Sequence, residues 1–351
     1  MEFNRMKFSF IFGVFSLVFI LAACQSKLAP SKVNSPVQDT GADGSGGGSG
    51  LDTDPARKQL PPPRPVYKVN PNSLRAQAEQ LHLLIGTTGP ANEALAVDFN
   101  AVTLDDEIKF KTIQPKAGEF HFEAADAQAQ FAFDHGMQVL ALSLVSSEAL
   151  PEWISAGAPS QKDLETILHD YIKKVVGHFH EKFPSVVFVW NVVDSAIDPN
   201  GLGIRKSPWS QMNDQPDGYI SLAYEWAHEA DATAKLFYRD VGANGMDDQA
   251  NAVFALISKL RQAGVPVAGV DLSGAAKAED VQAIGVRYQK LGVAVRITTG
   301  DDATASAGFA ECFLLSNCTG VTPKKLSGAD AIQSLTEQLK ARIKALSSAQ
   351  S

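Results

Sequence analysis

A closed (β/α)8 barrel, a single domain behind a leader and a tether, is the fold the sequence predicts, and three observations predict it. From Val66 onward, apolar β-rich runs alternate with amphipathic helical stretches about seven or eight times, the pattern of a parallel sheet covered by helices. Residues 66–351 fall in the ~250-residue size class that eight such units need. No glycine-rich turn follows the first strand, which argues against an open dinucleotide-binding sheet.

Residues 73–84 (SLRAQAEQLHLL) read as a helix capped by Asn72 or Ser73, running into a Gly/Pro turn over 86–90. Residues 95–102 read as a short strand carrying Phe99-Asn100. Residues 124–135 place Ala125, Ala129, Phe131 and Ala132 on one helical side, with Gly136 ending the helix and a buried strand over 137–145. Leu164, Ile167, Leu168, Ile172, Val175, Val176 and Phe179 mark a long helix over 164–183. The run at 186–193 (VVFVWNVV) has the unbroken apolar character of a strand buried on both faces. It ends in a polar tip, Asp194-Ser195. Helices over 219–229, 247–263, 280–291, 308–315 and 330–346 then alternate with strands over 235–240, 267–272, 293–298 and 319–322.

The ends are a different material. Arg5 and Lys7 precede an apolar run from Phe8 to Ile20, then Leu21-Ala22-Ala23-Cys24, the layout of a secretory signal rather than a spanning helix. Either Met1 or Met6 serves as a start. Leu-Ala-Ala-Cys resembles the lipobox of bacterial lipoproteins, which implies cleavage after residue 23 and a lipid on Cys24. The expected location is the bacterial cell envelope, with Gln25 pointing to the outer rather than the inner membrane. Residues 24–65 contain GADGSGGGSG and PPPRP and read as a tether. The formal net charge of −8 argues against nucleic acid as a partner, so membrane attachment falls to the lipid. No cofactor motif and no metal-ligand spacing is present. Cys312 and Cys318, close together in an exported chain, are expected to pair.

The stretch 99–110 (FNAVTLDDEIKF), with Pro115, Gly118-Glu119-Phe120 and Ala125-Asp126, resembles family 10 glycoside hydrolases, the retaining endo-β-1,4-xylanases. His135-Gly136-Met137, Leu150-Pro151, Trp153, Trp190-Asn191-Val192-Val193 and Ala234-Lys235-Leu236 continue the resemblance. Cys312 and Cys318 sit where that family often has a Cys pair. The resemblance implies a barrel with its chemistry at the C-terminal strand ends. It also implies two carboxylates about 5–5.5 Å apart, one a nucleophile and one an acid/base.

At the positions the resemblance assigns to those carboxylates, this chain has Ser195 for the acid/base and Thr299 for the nucleophile. Neighbouring motif positions also differ: Ser146-Ser147-Glu148-Ala149, Arg239-Asp240 and Ser273-Gly274-Ala275 replace the family's polar sets. The expectation is a barrel that no longer hydrolyses glycosides and binds a polysaccharide, an oligosaccharide or a protein partner. Its rival is an active glycosidase using a relocated pair, Asp194 and Asp301. Alternation along a strand aims Asp194 away from Ser195. Asp105, Asp106 and Lys109 stand at the family's sugar-clamp positions, read either as a residual clamp or as a salt bridge in which Glu107 or Asp106 holds Lys109. Trp209, in the loop 201–217, is the candidate exposed ring for stacking on a sugar. Trp190 and Trp226 are expected in the core, and His178 and His180 on different sides of their helix. Asp240 and Asp271 stand at strand ends.

Overall fold

The computed structural model describes residues 63–186, 188–274, 278–299, 312, 315–323 and 329–349. The signal, Cys24, most of the tether, Asp301 and most of the expected 308–315 helix lie outside the described residues. The chain divides into Met1–Lys58 and Gln59–Ser351. The second unit is the barrel.

Its strands are β1 (Leu84–Thr87), β2 (Ala101–Leu104), β3 (Gln138–Ala141), β4 (Val145–Ser146), β5 (Phe188–Asp194), β6 (Lys235–Val241), β7 (Gly269–Ser273), β8 (Ala294–Thr299) and β9 (Cys318–Pro323). They pair in the order β3-β2-β1-β9-β8-β7-β6-β5-β4, every pair parallel, and β3 also pairs with β5 to close the ring. β3 and β4 are two pieces of one barrel strand, since both run along β5 (Ala141 opposite Trp190, Val145 opposite Val193). That leaves eight parallel staves, the (β/α)8 barrel expected.

The helices are α1 (Leu74–Gln80), α2 (Glu93–Asp98), α3 (Phe110–Ile113), α4 (Glu123–Asp134), α5 (Glu152–Ser155), α6 (Gln161–Lys182), α7 (Gly218–Ala230), α8 (Asp248–Gln262), α9 (Ala278–Gln289) and α10 (Ala329–Ala349). Among the described residues no helix is long and apolar enough to cross a membrane. α6 starts where Ser160 and Asp163 form a reciprocal capping box, satisfying two otherwise orphaned N–H groups. Its buried stripe is Leu164, Leu168, Tyr171, Ile172, Val175, Val176 and Phe179; Tyr171 stacks on Phe110 (ring centroids 3.7 Å apart) and Phe179 reaches β5. There Phe179 meets Phe188 and Trp190 at ring distances of 5.2 and 5.9 Å.

Three local expectations are corrected. Residues 84–87 are a strand rather than a helix end and turn: α1 stops at Gln80, and His82 takes a left-handed backbone (φ 55°) that redirects the chain into β1. Residues 95–98 are helical, because the Asn92 side chain caps α2 by accepting from Leu95 N. The run 137–145 is split between β3 and β4, with Leu144 N still bonded to Asn191 O across the break.

The inside of the barrel is layered. The lowest layer is apolar, with Ala101, Leu140, Val189 and Phe237. Phe237 fits because residue 269 is glycine, since a Cβ there would come within 2.2 Å of its ring. Above it the interior turns ionic. Arg296, 1 % exposed, donates from Nη2 to Asp271 Oδ2 (2.6 Å) and Asn191 Oδ1 (3.0 Å). Asn191 Nδ2 and Thr298 Oγ1 also donate to Asp271, each at 2.8 Å. Burial alone would raise the Asp271 carboxyl, but the Arg296 guanidinium outweighs it and holds its pKa below the ordinary carboxylate value.

Candidate active site at the barrel mouth

The C-terminal ends of the staves surround a pocket of about 350 Å3 whose polar lining includes Asp105, Lys109, Lys111, Ser143, Ser146, Glu148, Asp194 and Arg239. Carbohydrate-sized volume and polar walls suit a sugar ring with its many hydroxyls. What the pocket can do chemically depends on whether its carboxylates are available.

Asp194, at the tip of β5, is hydrogen-bonded through both of its oxygens. Its Oδ2 accepts from Arg239 Nη1 (2.6 Å) and Ser143 Oγ (3.2 Å), and its Oδ1 accepts from Ser195 Oγ (2.8 Å). Burial raises the Asp194 pKa above the usual carboxylate value, while Arg239 and the two hydroxyls limit the rise. Arg239 comes from β6, reaches Asp194 on β5, and donates its Nη2 to Ser273 Oγ on β7 at 3.3 Å. One guanidinium thus ties three adjacent strand ends together across the mouth.

Ser195 follows with a left-handed backbone (φ 52°), held by its N–H on Arg239 O and by Arg205 Nε on its own carbonyl. Its hydroxyl is spent on Asp194. Asp194 lines the pocket and Ser195 does not; Ser195 lies past the end of β5 with a left-handed backbone, so strand alternation does not set its direction. Thr299 ends β8, is 2 % exposed, and its Oγ1 has no hydrogen-bond partner among the described residues. The relocated pair cannot be assembled here, because Asp301 lies outside the described residues.

Asp105, Asp106 and Lys109 do come together. Lys109 Nζ sits 2.5 Å from Asp106 Oδ1 and 3.4 Å from Asp105 Oδ1. The hydrogen bond from Lys109 holds the Asp106 carboxyl below its usual pKa. Glu107 is engaged elsewhere, accepting from Gln128 Nε2 at 2.7 Å and Asp105 N at 3.1 Å. Of the two partners considered for Lys109, Asp106 is therefore the one used.

Trp209 overturns its expectation. It is 1 % exposed, stacks on Phe110 with ring centroids 5.7 Å apart, and donates Nε1–H to Ser146 O at 2.9 Å. It props the pocket wall from behind and offers no face to a ligand. Trp190 and Trp226 are buried, as expected. His178 stacks on Phe122 and pairs with Asp126, while His180 pairs with Asp231.

Asp240 and Asp271 both have partners. Asp240, wholly buried, accepts from Tyr238 OH (2.9 Å) and Gln249 Nε2 (2.8 Å), and burial pushes its pKa up to about 6. Among the described residues no three His, Cys, Asp or Glu side chains form a metal-holding group. Cys312 and Cys318 are joined as a disulfide with Cα atoms 5.5 Å apart.

Sequence reasoning missed Ser143 and the bridging role of Arg239. The signal for Arg239 was a cation deep inside a strand, after the apolar run Leu236-Phe237-Tyr238, which calls for a buried anion.

Comparison with known proteins gives this site its context. Endo-1,4-beta-xylanase B of Thermotoga neapolitana is 33 % identical over 208 residues, covering 56 % of this chain and 58 % of that protein. The beta-1,4-xylanase of Dictyoglomus thermophilum is 32 % identical over 210 residues, 58 % of this chain and 57 % of its own. This chain therefore spans a little over half the length of the curated relatives it matches. Among solved structures, xylanase 10B of Thermotoga maritima superposes with a TM-score of 0.69 at 24 % identity, over 78 % of this chain and 99 % of that one. Xylanase 10B of Thermotoga petrophila RKU-1, solved in complex with xylobiose, gives the same TM-score and identity over 79 % and 99 %. These two likenesses show the fold. Residues 74–314 match the sequence profile of Glycosyl hydrolase family 10, and with that match across most of the barrel the chain belongs to this family.

Proposed function

We propose that this protein is a lipid-anchored protein of the bacterial envelope whose family 10 barrel holds a carbohydrate without hydrolysing it. The ligand class is the one the relatives' names carry, a β-1,4-xylan or its oligosaccharides. The observation that carries the reading is the state of Asp194: it is the carboxylate at the tip of the central strand, and an arginine and two serines occupy its oxygens. A retaining glycosidase needs one carboxylate free to attack and a second free to exchange a proton. The motif positions for those groups carry hydroxyls, Ser195 and Thr299, whose pKa values lie far above neutrality. Lys109 with Asp105 supplies a charged donor and acceptor pair for sugar hydroxyls at the pocket rim.

The test is calorimetric titration of the full chain with xylotetraose, alongside reducing-sugar release from xylan at high protein concentration. Binding without turnover is the expected result. Sustained turnover abolished by D194N or D301N overturns it and establishes the second reading, hydrolysis by relocated carboxylates. The observation favouring that reading is that Asp194 lines the pocket with a raised pKa, as a general acid requires. Anchoring is tested by labelling cells with a radioactive fatty acid: incorporation that C24A removes is expected, and an unlabelled native chain overturns it.

A further inference from the structure

We propose that the sugar at the barrel mouth is gripped by Lys111 and Glu148, a cation and a carboxylate that line the same pocket and reach solvent. The proposal rests on the carbohydrate-binding reading and names the residues that carry it.

Elimination leads to this pair. Six charged residues line the pocket, and four of them already satisfy one another: Asp194 with Arg239 at 2.6 Å and Asp105 with Lys109 at 3.4 Å. A ligand that reaches those four competes with contacts already made. Lys111 and Glu148 are both exposed, and neither makes an ion pair among the described residues.

Their backbones hold them side by side. Lys111 N donates to Ala149 O at 3.1 Å, which joins α3 to the loop after β4. That loop is fixed at its base, where Trp209 Nε1 donates to Ser146 O (2.9 Å) and Glu148 N donates to Ser146 Oγ (3.0 Å). Ala149 takes a left-handed backbone (φ 56°), which disfavours any residue but glycine. Its neighbours therefore impose the course of this loop, and the loop carries Glu148 at the pocket wall.

A carboxylate accepts from two hydroxyls at once, and an ammonium donates to oxygen. The vicinal hydroxyls of a pyranose ring match both. The C–H face of the ring has Val241 to lie on, an apolar residue of the same pocket that is 50 % exposed. The lining carries Lys109, Lys111 and Arg239 against Asp105, Glu148 and Asp194, a balance that suits a neutral sugar.

The experiment is calorimetric titration of the full chain and its variants with xylotetraose. E148Q, which keeps the shape and removes the charge, should weaken binding by about fivefold to tenfold, and K111M by roughly threefold to fivefold. K235M, which removes an exposed cation at the opposite end of the barrel, should leave the affinity unchanged. Urea midpoints of all three should match the native chain, since these side chains make no ion pair that folding depends on. If the native chain binds and either E148Q or K111M stays within about twofold of it, the paired grip is overturned and the carbohydrate-binding reading stands. A native chain that does not bind xylotetraose overturns both. Reducing-sugar release by the native chain that E148Q abolishes also overturns the proposal, because Glu148 is then a proton carrier rather than a grip.

Discussion

The two faces of the barrel wall are built on opposite principles. The outer face, where the helices dock, is apolar: Trp190, Phe188 and Tyr238 of β5 and β6 are buried among side chains such as Phe179 and Tyr224. The inner face turns polar one layer up, where Arg296, Asp271, Asn191 and Thr298 form one hydrogen-bonded network and Arg239 with Asp194 forms another above it. The outer face contributes hydrophobic stabilisation that tolerates a change of partner of similar volume. The inner face depends on its ion pairs, Arg296 with Asp271 and Arg239 with Asp194, because a buried charge that loses its partner is costly.

The largest expected effects test that contrast directly. Asp271→Ala strands the Arg296 guanidinium and should cost about 3–5 kcal/mol in denaturant unfolding. Trp190→Ala should cost a similar ~3–5 kcal/mol by leaving a cavity on the outer face. The two differ in rescue: adding Arg296→Met to Asp271→Leu should recover much of the loss, because no charge is then left unpaired. A double variant as damaged as the sum of its singles would break the comparison.

Asp240 sharpens it on the pH axis. Its pKa rises from 3.8 to about 6 in the folded protein, so the native state binds the proton more tightly than the unfolded chain. Its contribution to stability is full below about pH 4 and is lost as pH rises through 6, by up to roughly 3 kcal/mol. Urea midpoints of the native protein and D240N, compared across that window, should converge in slope only if another group carries the dependence.

Smaller effects follow at the periphery. Reducing the Cys312–Cys318 bridge, which closes a loop with a sequence separation of 6, should lower stability by about 2 kcal/mol in the chain-entropy account. Lys109→Ala should weaken xylotetraose binding by about 1 kcal/mol, near fivefold, since its ammonium is partly exposed and already shared with Asp105 and Asp106. An unchanged affinity would remove Lys109 from the binding site and leave it a rim salt bridge.

Much of the framework was legible because it rests on periodicity. The stripe Leu164–Phe179 announced α6, and the apolar run ending at Asp194 announced β5, within a few residues of their observed bounds. Short elements were not legible. β1 has only the four residues LIGT, and the helix α2 depends on a single Asn92 cap that composition does not distinguish from a loop. At the site, the sequence located Asp194, Ser195, Thr299 and the Asp105-Asp106-Lys109 group at strand ends. It misjudged Trp209, because exposure of a loop tryptophan depends on what packs beneath it, here Phe110 from another segment.

By itself, then, the sequence determined the repeating strand-helix order and which residue types stand at the strand ends, since both are properties of local pattern and residue type. The tertiary structure decided which charges meet. Asp194 is 45 positions from Arg239, and Arg296 is 25 from Asp271, and it is the parallel register of β5 with β6 and of β7 with β8 that brings them within a hydrogen bond. Side-chain availability is set by such distant contacts, and no local pattern encodes them.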